Sequence, residues 1–238
     1  MARSIIVGDV HGCSAELLDL LDRVQATEAD RVVFVGDLVA RGPDTPGVLA
    51  TVRRIAAKSV IGNHEARLLR ARKARARGEE LPRLGLSHRR VMAELSEEDW
   101  ELLEGLPYHL ELPEHGVLVV HAGLMPNVPI HEQDPVILTH MRSIDSDGEP
   151  SERPTDTLWG VVYQGPPHVV FGHNAIASIQ IHEHATGLDS GCVYGGALTA
   201  LVLPRGQPVP APADRRDWMV SVAARQPYYH PRKKGRYR

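Results

Sequence analysis

Ile5-Ile6-Val7-Gly8-Asp9-Val10-His11-Gly12 is the stretch on which the fold turns. Three β-branched residues in a row read as a short buried strand. The Gly-Asp-x-His-Gly that ends it sets a carboxylate and an imidazole on the rim of a sheet. The same order recurs four times. Val32-Val33-Phe34-Val35 runs into Gly36-Asp37-Leu38-Val39-Ala40-Arg41-Gly42, and Val60-Ile61 into Gly62-Asn63-His64-Glu65. Val117-Leu118-Val119-Val120 runs into His121-Ala122-Gly123, and Val169-Val170-Phe171 into Gly172-His173-Asn174. One histidine after a strand signifies little. Five strand ends carrying Asp, Asn and His on one rim can gather those side chains around a shared pair of ions.

Between these endings, helix signals alternate with strands. Ser14 is placed to cap a helix with Leu17, Leu18, Leu21 and Val24 at helical spacing. A second helix is expected near 45–57, with Val48, Leu49, Val52 and Ile55 inward, and a third from about His64. The alternation predicts a βαβ framework with helices on both faces of the sheet. Residues 66–106 break that rhythm. A strongly basic helix over about 66–77 and a helix start at Ser96-Glu97-Glu98-Asp99 read as a small helical cap. From Tyr108 the pattern turns strand-rich, over 108–112, 117–121, 168–172, 178–183 and 197–203, with a long polar loop at 142–157. Residues 1–203 are expected to form one domain, and 204–238, rich in Pro, Arg and Lys, a partly ordered tail.

The bulk properties narrow the class. A chain of 238 residues suffices for one well-packed α/β domain with a decorating element. A net charge of -3 argues against nucleic acid as the main partner. Cys13 and Cys192 are too few for a disulfide framework and fit a reducing compartment. No targeting segment is legible, and no run approaches the roughly 18 apolar residues of a membrane span, so a soluble cytoplasmic protein is expected. Carboxylate, amide oxygen and imidazole together suit manganese, iron or zinc better than calcium.

Taken together, Gly-Asp-x-His-Gly, Gly-Asp-x-x-x-Arg-Gly, Gly-Asn-His-Glu, a later His-x-Gly and a final Gly-His resemble the calcineurin-like metallophosphoesterases. The resemblance runs over roughly residues 4–203 and implies an α/β sandwich of two mixed sheets flanked by helices. Carried over position by position, it implies that Asp9, His11 and Asp37 hold one divalent ion. Asp37 would bridge to a second ion, completed by Asn63, His121 and His173. Manganese is the first candidate, with iron, cobalt or zinc able to use the same ligands. The reaction implied is direct attack on phosphorus by a hydroxide shared between the ions. His64 occupies the position of the family's proton donor, and Arg41 that of its first phosphate-gripping arginine. Arg142 is the candidate for a second, with Arg153 its competitor.

Within the family, the chain looks like the branch that holds the Ser/Thr protein phosphatases and the bacterial symmetrical diadenosine tetraphosphatases. Ala40 stands where the protein phosphatases carry the Asp that pairs with the catalytic His. Without that carboxylate, His64 is a poorer donor to an alkoxide, which matters less when a nucleotide anion leaves. The runs Gly36 to Pro43 and Gly187 to Thr199 resemble the tetraphosphatases too. Symmetrical hydrolysis of a dinucleoside tetraphosphate, diadenosine tetraphosphate to two ADP, is therefore expected, with a Ser/Thr or dual-specificity protein phosphatase as the alternative. A polyphosphate would be drawn to Arg67, Arg70, Arg72, Lys73, Arg75 and Arg77, although a solvated helix face explains them equally well. The closing run Arg232 to Arg238 is basic as well. Trp159, Tyr163 and Tyr194 offer stacking surfaces for adenine or ordinary core packing. His109, His115, His168, His182 and His184 read as structural or surface residues.

Overall fold

The computed structural model describes residues 3–154, 156–175 and 179–230. Strands β1 (Ser4–Val7), β2 (Arg31–Phe34) and β3 (Lys58–Ser59) alternate with helices α1 (Ser14–Arg23) and α2 (Thr45–Arg54). These three strands are parallel neighbours, as the βαβ reading requires. Helices α3 (Asn63–Ala76), α4 (Leu86–Glu94) and α5 (Glu97–Glu104) follow, then β4 (His109–Leu112), β5 (Val117–Val120) and α6 (Pro135–His140). A small sheet of β6 (Ser143–Ile144), β7 (Pro150–Ser151) and β8 (Thr157–Leu158) comes next, then α7 (Trp159–Val162). The chain continues through β9 (His168–Phe171), β10 (Gln180–Ile181), β11 (Ala185–Gly187), β12 (Ala197–Leu203) and β13 (Met219–Ala223).

Two five-stranded mixed sheets result, ordered β13-β12-β1-β2-β3 and β10-β11-β9-β5-β4. Their strands obey the period of two on both faces. Ile5, Val7, Val32 and Phe34 face α1 and α2, while Ile6, Val33 and Val35 face the inside of the sandwich. Val117, Val119 and Val170 meet them there, and Leu118, Val120, Val169 and Phe171 point outward under Trp159. Burial on both faces is why these strands read as unbroken apolar runs. Since β1, β2 and β3 are parallel, as are β5 and β9, their five carboxyl ends open on one rim.

Several boundaries differ from expectation. Ser14 opens α1 without capping it; its hydroxyl donates to Asp44 Oδ2 at 2.6 Å, and Asp44 caps α2 by accepting from Gly47 N. Ser96 and Asp99 do form the anticipated reciprocal cap on α5. The helices of 66–106 include α4, which the sequence pattern did not show. Leu68, Leu69, Val91, Trp100 and Leu103 join the core of Leu17, Leu20, Val48 and Leu49, so this insertion extends the helical layer of the sandwich. The stretch 142–157 carries the small sheet where a loop was expected. Beyond Pro204, β13 pairs antiparallel with β12 and becomes the edge of the first sheet. The basic run 232–238 lies outside the described residues, as does residue 178 of the strand expected at 178–183. Among the described residues, no helix is long and apolar enough to cross a membrane.

Arg215 fastens this C-terminal segment to the second sheet. It is buried, and its guanidinium donates to the carbonyls of Pro210, His182, Glu183 and Ala185 and to Thr186 Oγ1. Truncation would leave those acceptors without their donor. Arg215→Ala is expected to lower stability by about 3 kcal/mol, read from chemical denaturation. A loss near zero would mean that water replaces the guanidinium freely.

Candidate metal centre and active site

The proposed ligands sit one to four residues past strand ends, and glycine precedes most of them for a steric reason. A Cβ on Gly62 would strike Asp37 Oδ1, and one on Gly172 would strike Asp9 Oδ1. The backbone gives way so that a carboxylate can pass. Backbone at and beside the proposed ligands is strained as well. His11 (φ 49°), Asp37 (49°), Ala40 (66°), Arg41 (68°) and His173 (65°) all adopt the left-handed region that non-glycine residues avoid.

The structure brings Asp9, His11, Asp37, Asn63, His121 and His173 together on the rim. Asp37 lies between the two halves of the cluster: Oδ2 is 3.5 Å from His11 Nε2, and Oδ1 is 3.5 Å from His121 Nε2. Asn63 Oδ1 stands 3.2 Å from His121 Nε2 and 3.1 Å from His173 Nδ1. Asp9 accepts the main-chain N–H of His173 at 3.0 Å. The far nitrogen of each imidazole is committed to a carbonyl: His11 Nδ1 to Val39 O, His121 Nδ1 to Val35 O, and His173 Nε2 to His140 O. Those bonds fix the tautomers and leave a lone pair from each ring directed at the cluster.

Electrostatics point the same way. Burial pushes the carboxyls of Asp9, Asp37 and Asp189 upward, and Asp189 and Asp37 raise Asp9 further. Burial also pushes the His11, His121 and His173 imidazoles below their ordinary range. Clustered carboxylates that repel one another beside unprotonated imidazoles form a donor set suited to divalent cations. Arg41 adds a guanidinium to the cluster, its Nη1 resting 2.7 Å from His11 Nε2.

Around this cluster lie the other predicted residues. The His64 main-chain N–H donates to Asp37 Oδ1 at 3.0 Å. Its ring meets His11 edge-on at 4.9 Å and stacks on His88 at 4.7 Å and 16°. Among the described residues no carboxylate orients it: Nδ1 is buried without a hydrogen-bond partner, in keeping with Ala40. Burial, then His11 and Arg41, drive its pKa well down. Arg142 reaches the cleft beside the cluster together with Arg41, and its Nη1 donates to Asn174 Oδ1 at 3.0 Å. Arg153 is exposed elsewhere.

Four residues near the site had no assigned role in the sequence. Glu65 accepts the main-chain N–H groups of Asp37, Val39 and Gly62, tying together the loops after β2 and β3. Asp189 is buried against Asp9 and Asp37. Asn174 holds Arg142, and His88 arrives on α4, whose pattern gave no signal. Trp159 turns out to be buried core, donating to Ala122 O, and Tyr163 lines a separate cavity; Tyr194 alone of the three borders the cleft. In the basic helix, Arg72 is matched by Glu97 and Glu104 and lies over Trp100. The histidines read as structural are placed accordingly, His115 between Ser4 Oγ and Gln207 O and His168 on Thr186 Oγ1.

Comparison with known proteins identifies the family. Residues 2–209 match the profile of the calcineurin-like phosphoesterase family. An asymmetrical bis(5'-nucleosyl)-tetraphosphatase PrpE of Halalkalibacterium halodurans is 31% identical, over 93% of this chain and 94% of that protein. A protein of the same name from Oceanobacillus iheyensis is 30% identical, over 94% and 93%. A solved structure provisionally named a diadenosine tetraphosphatase superposes with a TM-score of 0.78 at 38% identity, covering 93% of each chain. A protein serine/threonine phosphatase from Saccharomyces cerevisiae shares the fold alone, at 16% identity and a TM-score of 0.62, over 97% of this chain and 82% of that one.

Proposed function

The chain belongs to the calcineurin-like phosphoesterases, and from that membership we propose that it hydrolyses a dinucleoside tetraphosphate at a two-ion centre. The observation that carries the centre is Asp37, whose two oxygens face imidazoles on opposite sides at 3.5 Å each. Asp9, His11 and Asp37 would hold one ion, and Asp37, Asn63, His121 and His173 the other, with manganese the first to try. Divalent ions bound there supply a water of lowered pKa and offset the charge of the phosphates. Arg41 and Arg142 line the cleft beside them and suit a phosphate chain, since guanidinium forks match pairs of phosphate oxygens. His64, with no carboxylate behind it, suits a leaving group that departs as a stable anion.

Where the tetraphosphate is cut is the finer question. The relatives at 30–31% identity carry the name asymmetrical, which favours cleavage to a nucleoside triphosphate and a nucleoside monophosphate. The symmetrical cleavage expected from the sequence finds no support in those names, and we adopt the asymmetrical reading. The test is product analysis. Manganese-loaded protein is given diadenosine tetraphosphate and, separately, a phosphothreonine peptide. Equimolar ATP and AMP are expected, with peptide turnover about tenfold slower or more. ADP alone would restore the symmetrical reading. Faster phosphate release from the peptide would overturn the dinucleotide assignment.

Glu65 provides a check on the centre itself. Gln in its place puts an amide NH₂ against main-chain N–H groups it must now face as a donor. Glu65→Gln is expected to weaken manganese binding about 10- to 100-fold, as loss of a ligand-orienting partner does. Unchanged affinity in a metal titration would remove Glu65 from the architecture of the centre.

A further inference from the structure

Past residue 209 the chain leaves the stretch matched by the family profile, yet it returns to the rim of the ligand cluster. The return is firmly built. Ala224 N donates to Gly196 O, and Arg225 N and the Tyr228 hydroxyl both donate to Oε1 of the buried Glu16, at 3.0 and 2.7 Å. Tyr228 N and Tyr229 N both donate to Val193 O, at 2.9 and 3.0 Å. This docking brings Tyr229 beside Tyr194, with ring centroids 6.2 Å apart at 64°. Arg41 Cζ lies 5.5 Å from the Tyr194 ring and 5.7 Å from the Tyr229 ring.

The two rings share a cleft of about 550 Å³ with Arg41, Arg142, Asn63 and His173. That volume lies in the range of small-molecule sites. Its lining combines two chemistries. Guanidinium groups adjoin the Asn63 and His173 side chains, and the half-exposed rings of Tyr194 and Tyr229 lie next to Arg41. A ligand that satisfies both carries phosphate at one end and a flat heterocycle at the other. We propose that Tyr194 and Tyr229 form a nucleobase-stacking wall, so that the cleft takes a 5'-nucleotide with its phosphate toward Arg41 and its base against the rings. This rests on the dinucleotide reading and names the residues that select a nucleoside over a bare phosphate chain. The competing role for the rings is to hold Arg41 in place through cation–π contact.

The test uses the full chain loaded with manganese, and calorimetric binding of AMP and of inorganic phosphate to wild type, Tyr229→Ala and Tyr229→Phe. Stacking on an aromatic side chain predicts that wild type binds AMP about tenfold or more tightly than phosphate. Tyr229→Ala should cut that preference to about threefold or less, and Tyr229→Phe, which keeps the ring, should retain it. Equal affinity of wild type for both ligands would overturn the wall. So would equal weakening of both ligands by Tyr229→Ala, which would leave the rings as supports for Arg41. The outcome is separable from the proposed activity. A ring-dependent preference for AMP in a protein that does not cleave diadenosine tetraphosphate keeps the wall and removes the activity. Cleavage without the preference does the reverse.

Discussion

Asp37→Asn is expected to abolish most turnover, lowering kcat on a dinucleoside tetraphosphate by about 10³–10⁴-fold. The substitution keeps an oxygen for the His64 main-chain N–H, which Oδ1 accepts at 3.0 Å. It replaces the other oxygen with an amide NH₂ that donates and cannot bind a cation, so the bridge loses both its charge and one of its two ligand atoms. Stability should move the other way. Asp37 is buried with Asp9 and Asp189, and removing one of these acids relieves repulsion in the protein freed of metal. The melting temperature of the metal-free variant should therefore equal or exceed that of the metal-free wild type. A variant keeping a tenth of wild-type kcat would show that Asp37 does not bridge, and one that melts well below the wild type would show that repulsion among these acids is not what Asp37 contributes to the metal-free protein.

The second large effect depends on the leaving group. His64→Asn should reduce hydrolysis of an alkyl phosphomonoester by about 10²–10⁴-fold, because an alkoxide must be protonated as it departs. Its effect on the dinucleotide should be about tenfold or less, because the departing nucleotide is already a stable anion. The structural basis is the ring's isolation: Nδ1 meets no acceptor, and its companions are the His88 and His11 rings. Rates measured over a series of leaving groups decide the matter. Equal losses across the series would make His64 a phosphate-binding residue and not a proton donor.

The sequence displayed the frame of this site because that frame is local. An apolar run followed within two residues by Gly-Asp, Gly-Asn or Gly-His needs no knowledge of distant contacts. Gly62 and Gly172 show why the pattern is so strict, since any side chain there meets a carboxylate contributed by another strand. What surrounds the frame is nonlocal and was not legible. His88 stacks on His64 from α4, a short helix with little amphipathic pattern, 24 positions along the chain. Glu65 was visible in its motif, but its three main-chain donors come from loops that only the packed sheet brings together. Residues 204–238 read as a tail because the composition turns rich in Pro, Arg and Lys there. In the structure β13 completes the first sheet through backbone bonds to β12, and Arg215 is satisfied by carbonyls that composition cannot reveal. Tyr229 reaches the cleft only as a consequence of that docking.

The central claim is a catalytic centre of two ions bridged by Asp37, and the most direct test counts them. Metal-free protein is titrated with manganese while bound ions and cleavage of diadenosine tetraphosphate are measured in the same samples. Activity is predicted to rise with occupancy and level off at two ions per chain. A plateau at one ion, or full turnover with none bound, would contradict the account.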